Sequence, residues 1–129
     1  MMRYLLDTHT FLWMAAEPAK LSAKITGIVQ ASDNRLLLSA ASGWEIALLW
    51  HLKRVELPDH PQRFIPQALQ KLSVIPLPIG FDTAISAATL PIVHHDPFDR
   101  IIIAEALKEN LSVLTKDGTF ADYGTRALW

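Results

Sequence analysis

The 129-residue chain is 50% hydrophobic, carries a formal net charge of −1 and contains no cysteine. Its length suits one domain with a substantial core, and the missing cysteine excludes disulfides and thiolate metal sites and fits a reducing cytoplasm. No stretch approaches the roughly 20 apolar residues that span a bilayer, and a near-neutral chain is not one that holds nucleic acid by bulk charge, so any such contact requires clustered Lys and Arg or a bound cation.

In chain order, residues 3–6 predict a short buried strand ending at Asp7. Asp7 also interrupts the only early apolar run, so no secretory signal is expected. Residues 8–16 predict a helix stopped near Pro18, and residues 22–31 a second one. A strand over 36–39 leads into an apolar helix over 41–53, and a helix polar on one side covers 61–72. A strand over 74–77 is closed by Pro78, and a helix follows over 81–89. The segment HHDPFDR is a loop running into a helix over 97–109, then come a strand over 111–115, the turn Asp117-Gly118 and an edge strand over 126–129.

Strands that alternate with helices predict a three-layer α/β/α sandwich around a mostly parallel sheet, here a single domain over residues 1–129. In such folds the functional crevice lies beyond the carboxyl ends of the strands. Asp7 follows the first strand, Asp117 lies two residues past Thr115, Glu45 sits in the first turns of the helix after Ser39, and Asp99 is in the first turn of its helix. All four acids are therefore expected at one sheet edge. Glu45 shares a helix face with Leu48, Leu49 and Leu52, and Asp99 with Ile102, Ile103 and Ala106, so each heads an apolar stripe directed at the core.

Each acid also has a purely local reading. Ser42-x-x-Glu45 fits a capping box, Asp96-Pro97-Phe98-Asp99 an N-cap followed by proline and an acid, Asp7 a helix cap, and Asp117-Gly118 a turn. His9, His94 and His95 lie near the expected site, and a polar contact or a solvated loop is the preferred reading, because nothing resembles an HExxH pairing. His51 and His60 read as surface residues, and Trp13, Trp44 and Trp50 as packing or interface groups. Arg100 and Lys116 adjoin proposed ligands and read either as surface charge or as phosphate contacts.

Four ordered blocks, LLDTHTFLW, SAASGWEIALLWHLKR, HHDPFDRIIIAEAL and LTKDGTFADYG, cover nearly the whole chain, and with them the sequence resembles PIN-domain proteins, in particular the VapC-like toxins of bacterial toxin–antitoxin pairs. The HHDPFDR block with its small-residue helix is the most specific of the four. The resemblance implies an acidic quartet at Asp7, Glu45, Asp99 and Asp117, with Asp96 as an auxiliary acid. It further implies a Mg²⁺- or Mn²⁺-dependent nuclease acting on RNA, neutralised by a small antitoxin. Some relatives carry another Asp three residues after the position of Asp117. Phe120 stands there in this chain, which predicts a loosely held Asp117.

The chemistry suits the residues. Carboxylates brought together in a dry site raise one another's pKa, and a hard dication relieves that conflict through oxygen ligands. The cation polarises a phosphate oxygen and acidifies a bound water for in-line attack on a phosphodiester, with an acid of the quartet orienting that water. Thr8, Ser39 and Thr115 are candidates to hydrogen-bond the acids from behind. The helix over 41–53 carries apolar residues almost all round, which predicts a covering partner, a second copy or an antitoxin segment, or another helix of the chain itself. Two rivals are a phospho-accepting receiver domain and a PIN-like module that binds RNA or protein without cutting. The receiver needs an Asp ending a central strand, where this chain has Ser39 and Leu77.

Overall fold

The computed structural model describes residues 2–129. Five strands form one all-parallel sheet in the order β3-β2-β1-β4-β5: β1 Arg3–Leu6, β2 Arg35–Ser39, β3 Val74–Leu77, β4 Ser112–Leu114 and β5 Ala127–Leu128. Leu6 pairs with Leu38 on one side and Leu114 on the other, so three strands end level. Helices α1 Thr8–Ala16, α2 Ala23–Gln30, α3 Ala40–His51, α4 Pro61–Lys71, α5 Phe81–Thr89 and α6 Pro97–Glu109 connect them, with short 3-10 turns at Pro18–Lys20 and Gly118–Tyr123.

Side chains alternate across a strand, and a sheet covered on both faces reads as an unbroken apolar run. Leu36, Leu37 and Leu38 in β2 do both. Tyr4, Leu6, Leu36, Leu38 and Leu114 meet Phe11 of α1, Ile25 of α2, Ile46 of α3 and Ala68 of α4. Leu5, Leu37 and Val113 meet Ile102, Ile103 and Ala106 of α6, on which α5 packs. The three-layer sandwich expected from the sequence is the observed one, and every strand pair is parallel.

Two local expectations are corrected. Helix α3 starts at Ala40, and its cap is Ser39, whose Oγ accepts from the Ala41 amide at 3.0 Å. Ser42 is fully buried and accepts from the Thr8 hydroxyl at 2.8 Å, so Ser42 and Glu45 form no capping box. The buried face of α3 is Ala41, Ser42 and Ile46, while Leu48 and Leu52 are 37% and 50% exposed. Glu45 thus flanks the core stripe and does not head it. Asp99 does head its stripe, because Ile102, Ile103 and Ala106 are buried as expected. Among the described residues no helix is long and apolar enough to cross a membrane.

Candidate functional site

The level ends of β1 and β4 build one wall. The Asp7 amide donates to the Leu114 carbonyl at 3.1 Å, and the buried Thr10 hydroxyl donates to the same oxygen at 2.7 Å. Asp7 is buried and caps α1, with Oδ1 accepting from the Thr8 amide at 2.7 Å. Its other oxygen accepts from the Thr115 hydroxyl at 2.8 Å, and Thr115 Oγ1 in turn accepts from the Asp117 amide at 3.0 Å. One buried threonine therefore ties the acids of two strands together. The cap and the site are the same side chain, and the local reading of Asp7 does not compete with the functional one.

Helix α6 supplies the opposite wall. Asp96 caps it, accepting from the Phe98 amide at 2.9 Å and the Asp99 amide at 3.5 Å. Asp99, in the first turn, faces His94, whose Nε2 lies 2.9 Å from Asp99 Oδ2 and 3.2 Å from Asp117 Oδ2. Asp7, Glu45, Asp96, Asp99 and Asp117 line a single cleft of about 410 Å³, joined by His9, Thr10, Trp13 and Lys116.

The acids divide electrostatically. Burial is the largest cause raising the pKa of Asp7, against the Thr115 hydroxyl that stabilises its charge. Burial likewise raises Glu45, against the Thr8 hydroxyl and with Asp96 and Asp7 adding to it. Asp99 is pushed up to about 8, by burial first and then by Asp7, Asp96, Glu45 and Asp117 around it. Asp117 is held below the usual carboxylate range: burial works against this, but the Thr119 hydroxyl and amide and His94 outweigh it. Glu45 Oε1 is buried with no hydrogen-bond partner among the described residues. An oxygen-rich cluster that resists ionisation and retains an orphaned buried oxygen fits a hard divalent cation. His94, Asp99 and Asp117 also present ligand-type atoms all within 4.8 Å of one another.

Several expectations change. Asp117 is not loose: its Oδ1 accepts from the Thr119 amide at 2.9 Å and the Thr119 hydroxyl at 2.7 Å. Phe120, standing where some relatives have another acid, is fully buried in the core beside α6, so its identity takes nothing from Asp117. Arg100 is not available to phosphate. It is 7% exposed, and its guanidinium donates to the carbonyls of Ala88, Leu90, Pro91 and His94 at 2.7–3.2 Å. Ser39 caps α3 and lies outside the cleft lining, Thr115 gives its hydroxyl to Asp7, and Thr8 gives Asp7 its backbone amide and Ser42 its hydroxyl. Lys116 is exposed on the rim.

His94 and Trp13 were undervalued from sequence. Trp13 lines the cleft, its ring edge-on to Trp129 at 5.6 Å and 5.9 Å from His9. An aromatic in a short apolar helix carries no sign that it faces a cleft. His94 gave a signal only through its doublet with His95 five residues before Asp99.

Comparison with known proteins identifies the family and the fold. A family model described as PIN domain matches residues 4–125. Ribonuclease VapC22 of Mycobacterium tuberculosis is 31% identical over 114 residues, 88% of this chain and 85% of the relative. Ribonuclease VapC16 of the same organism is 36% identical over 52 residues, covering 40% and 37% of the two chains. Among solved structures, VapBC2 from Rickettsia felis bound to a promoter DNA fragment superposes with a TM-score of 0.72 at 15% identity, over 98% of each chain. A toxin–antitoxin complex from Klebsiella pneumoniae gives a TM-score of 0.65 at 16% identity, over 98% of this chain and 96% of that one. The matched span and the VapC22 likeness together show that this chain belongs to the PIN-domain family.

Proposed function

We propose that this PIN domain, acting as one domain, is a Mg²⁺- or Mn²⁺-dependent endoribonuclease and the toxin of a toxin–antitoxin pair. The observation that carries the reading is the meeting of Asp7, Glu45, Asp99 and Asp117 in one cleft where burial sets the first three against ionisation. Relatives named ribonucleases and structural neighbours that are toxin–antitoxin assemblies support the activity and the partner.

In this reading Asp7, Glu45, Asp99 and Asp117 hold the metal, and Asp96 adds negative charge at the rim. The bound dication would polarise the scissile phosphate and acidify the attacking water. Asp7 and Asp117 are fixed by Thr115 and Thr119, so their oxygens need little reorganisation. Glu45, with an unpartnered oxygen and a raised pKa, is suited to orient that water and accept its proton as the P–O bond to the leaving oxygen breaks. Lys116, at the mouth, pairs with substrate phosphate. RNA and not DNA follows from the relatives' names, because no group in the cleft is committed to a 2′-hydroxyl.

Trp44 and Leu48 of α3 and Leu52, its C-cap, recur every fourth residue and are 65%, 37% and 50% exposed. That stripe is the surface on which a second copy would pack to form a homodimer. Size-exclusion chromatography with light scattering tests it, and a monomer at high concentration removes this part of the reading. The activity is tested by incubating the protein with several RNAs in Mn²⁺ and in EDTA. Cleavage is expected in Mn²⁺ alone and none by Asp99→Asn. RNA binding without any cleavage would leave the non-cleaving module instead.

A further inference from the structure

The segment between α5 and α6 has no regular secondary structure, yet its backbone is held at both ends. The Arg100 guanidinium donates to four carbonyls, of which Leu90 at 2.7 Å, Pro91 at 3.0 Å and His94 at 3.1 Å lie in this segment. The Tyr123 hydroxyl accepts from the amides of Val93 at 3.0 Å and His94 at 2.7 Å and donates to the Pro91 carbonyl at 2.7 Å. These two side chains fix the backbone of residue 94, and the ring follows, edge-on to the buried Phe120 at 6.2 Å.

The ring's two nitrogens do different work. The Asp96 amide donates to His94 Nδ1 at 3.2 Å. A nitrogen that accepts carries no hydrogen, so the proton of the neutral ring sits on Nε2. That N–H bonds Asp117 Oδ2 at 3.2 Å, and the same nitrogen lies 2.9 Å from Asp99 Oδ2, so both acids crowd one edge of the ring. A protonated nitrogen has no lone pair for a metal. Making Nε2 a ligand would move the hydrogen to Nδ1, against the Asp96 N–H. The spacing of His94, Asp99 and Asp117 resembles a ligand set, but the hydrogen-bonding pattern gives His94 another part.

We propose that His94 is a positioning residue of the acidic site: its Nε2–H draws Asp99 and Asp117 together, it stays a donor when a cation binds, and Arg100 and Tyr123 serve to present it. This inference rests on the metal-site reading above and adds to it which side chain sets the separation of two of the acids.

The test uses the whole chain with Mg²⁺ alone as the probe, read by ¹⁵N–¹H correlation of the histidine rings and by calorimetric titration. In EDTA the His94 ring is expected as the Nε2–H tautomer, and saturating Mg²⁺ leaves that proton in place. His94→Ala is expected to weaken Mg²⁺ binding about 10–100-fold, the usual cost of losing a group that orients a ligand. His94→Gln, which returns an N–H near the position of Nε2, restores most of that affinity. Tyr123→Phe removes only the hydroxyl, leaves every acid untouched and is expected to weaken Mg²⁺ binding in the same direction. It carries the test should His94→Ala fail to fold. Loss of the Nε2 proton on adding Mg²⁺, or wild-type affinity in both His94→Ala and Tyr123→Phe, overturns the proposal alone. A wild-type protein that does not respond to Mg²⁺ overturns the metal-site reading and this inference with it.

Discussion

On one side of the cleft Asp117 accepts from the Thr119 amide, the Thr119 hydroxyl and His94, and its pKa is held down. Elsewhere in the same cleft Glu45 of α3 keeps a buried oxygen with no partner among the described residues, and its pKa is pushed up. One acid is at ease when charged and the other is not. A cation that sits between them gains a fixed ligand from the first and relieves a conflict in the second. The difference shows how a single cleft can hold one acid rigid and charged and leave another unsatisfied.

The largest expected effect comes from Asp99, in the first turn of α6 and with its pKa pushed up to about 8. Asp99→Asn should abolish detectable Mn²⁺ binding and cut RNA cleavage by at least about 10²-fold, the scale on which preorganised charge acts. Near-wild-type cleavage by this variant would break the assignment.

The next effect is on pH dependence without metal. Asp99, Asp7 and Glu45 have folded pKa values above the ordinary 3.8 or 4.5, with Asp99 at about 8. A raised carboxyl favours the folded state while protonated, so its stabilisation is complete below pH ~4 and is lost as the pH rises through the folded value. In EDTA the melting temperature should therefore fall between about pH 4 and 8, and saturating Mn²⁺ should recover it at the upper end. A metal-free melting temperature that rises steadily to pH 8 would contradict the pKa ordering.

Smaller still are the two single-sided variants, which should move in opposite directions. In EDTA at pH 8, Glu45→Gln should stabilise the protein by about 1 kcal/mol, because an unsatisfied charged oxygen is gone. Asp117→Asn should destabilise it by a similar amount, because Asp117 contributes stability above its depressed pKa that an amide does not supply. Both should weaken Mn²⁺ binding. Denaturant titration of each variant separates the signs, and equal signs would erase the distinction between the two acids.

The smallest effect lies outside the cleft. Glu105 of α6 is 3% exposed, neither of its oxygens has a well-aligned hydrogen bond among the described residues, and burial pushes it up to about 7, opposed by the nearby Ser39 hydroxyl. Glu105→Gln should raise the melting temperature by a few degrees at pH 8, for a gain of about 1 kcal/mol, and change nothing at pH 5. Mn²⁺ affinity should stay as it was.

Much of this was legible beforehand, and the reasons differ by element. The strands of the sheet were readable because β1 and β2 are apolar runs too short to be helices and bounded by polar residues. Asp7 and Asp99 were readable because a strand end and a helix start fix where a side chain goes. Glu45 was placed at the right edge for a partly wrong reason. Its helix begins one residue earlier than expected and presents Ile46 to the core, with Leu48 and Leu52 left exposed. Arg100 could not be read, since what it binds is a set of carbonyls and no sequence pattern marks a carbonyl. His94 depends on Arg100 and on Tyr123, 29 residues away, so it was hidden for the same reason. The 3-10 turn over Gly118–Tyr123 is too short to develop a periodicity, and only its cap Asp117 and its first residue Gly118 announced it.

The way Arg100 grips its loop has a consequence for variation. A guanidinium that reads four carbonyls is indifferent to the side chains hung on them. Ile92, Val93 and His95 are exposed on that loop and carry none of its anchoring through their side chains. They form a cassette whose length is fixed and whose chemistry is free. Sequence drift there can reshape the exposed surface beside His94, while the acids that His94 faces keep their places.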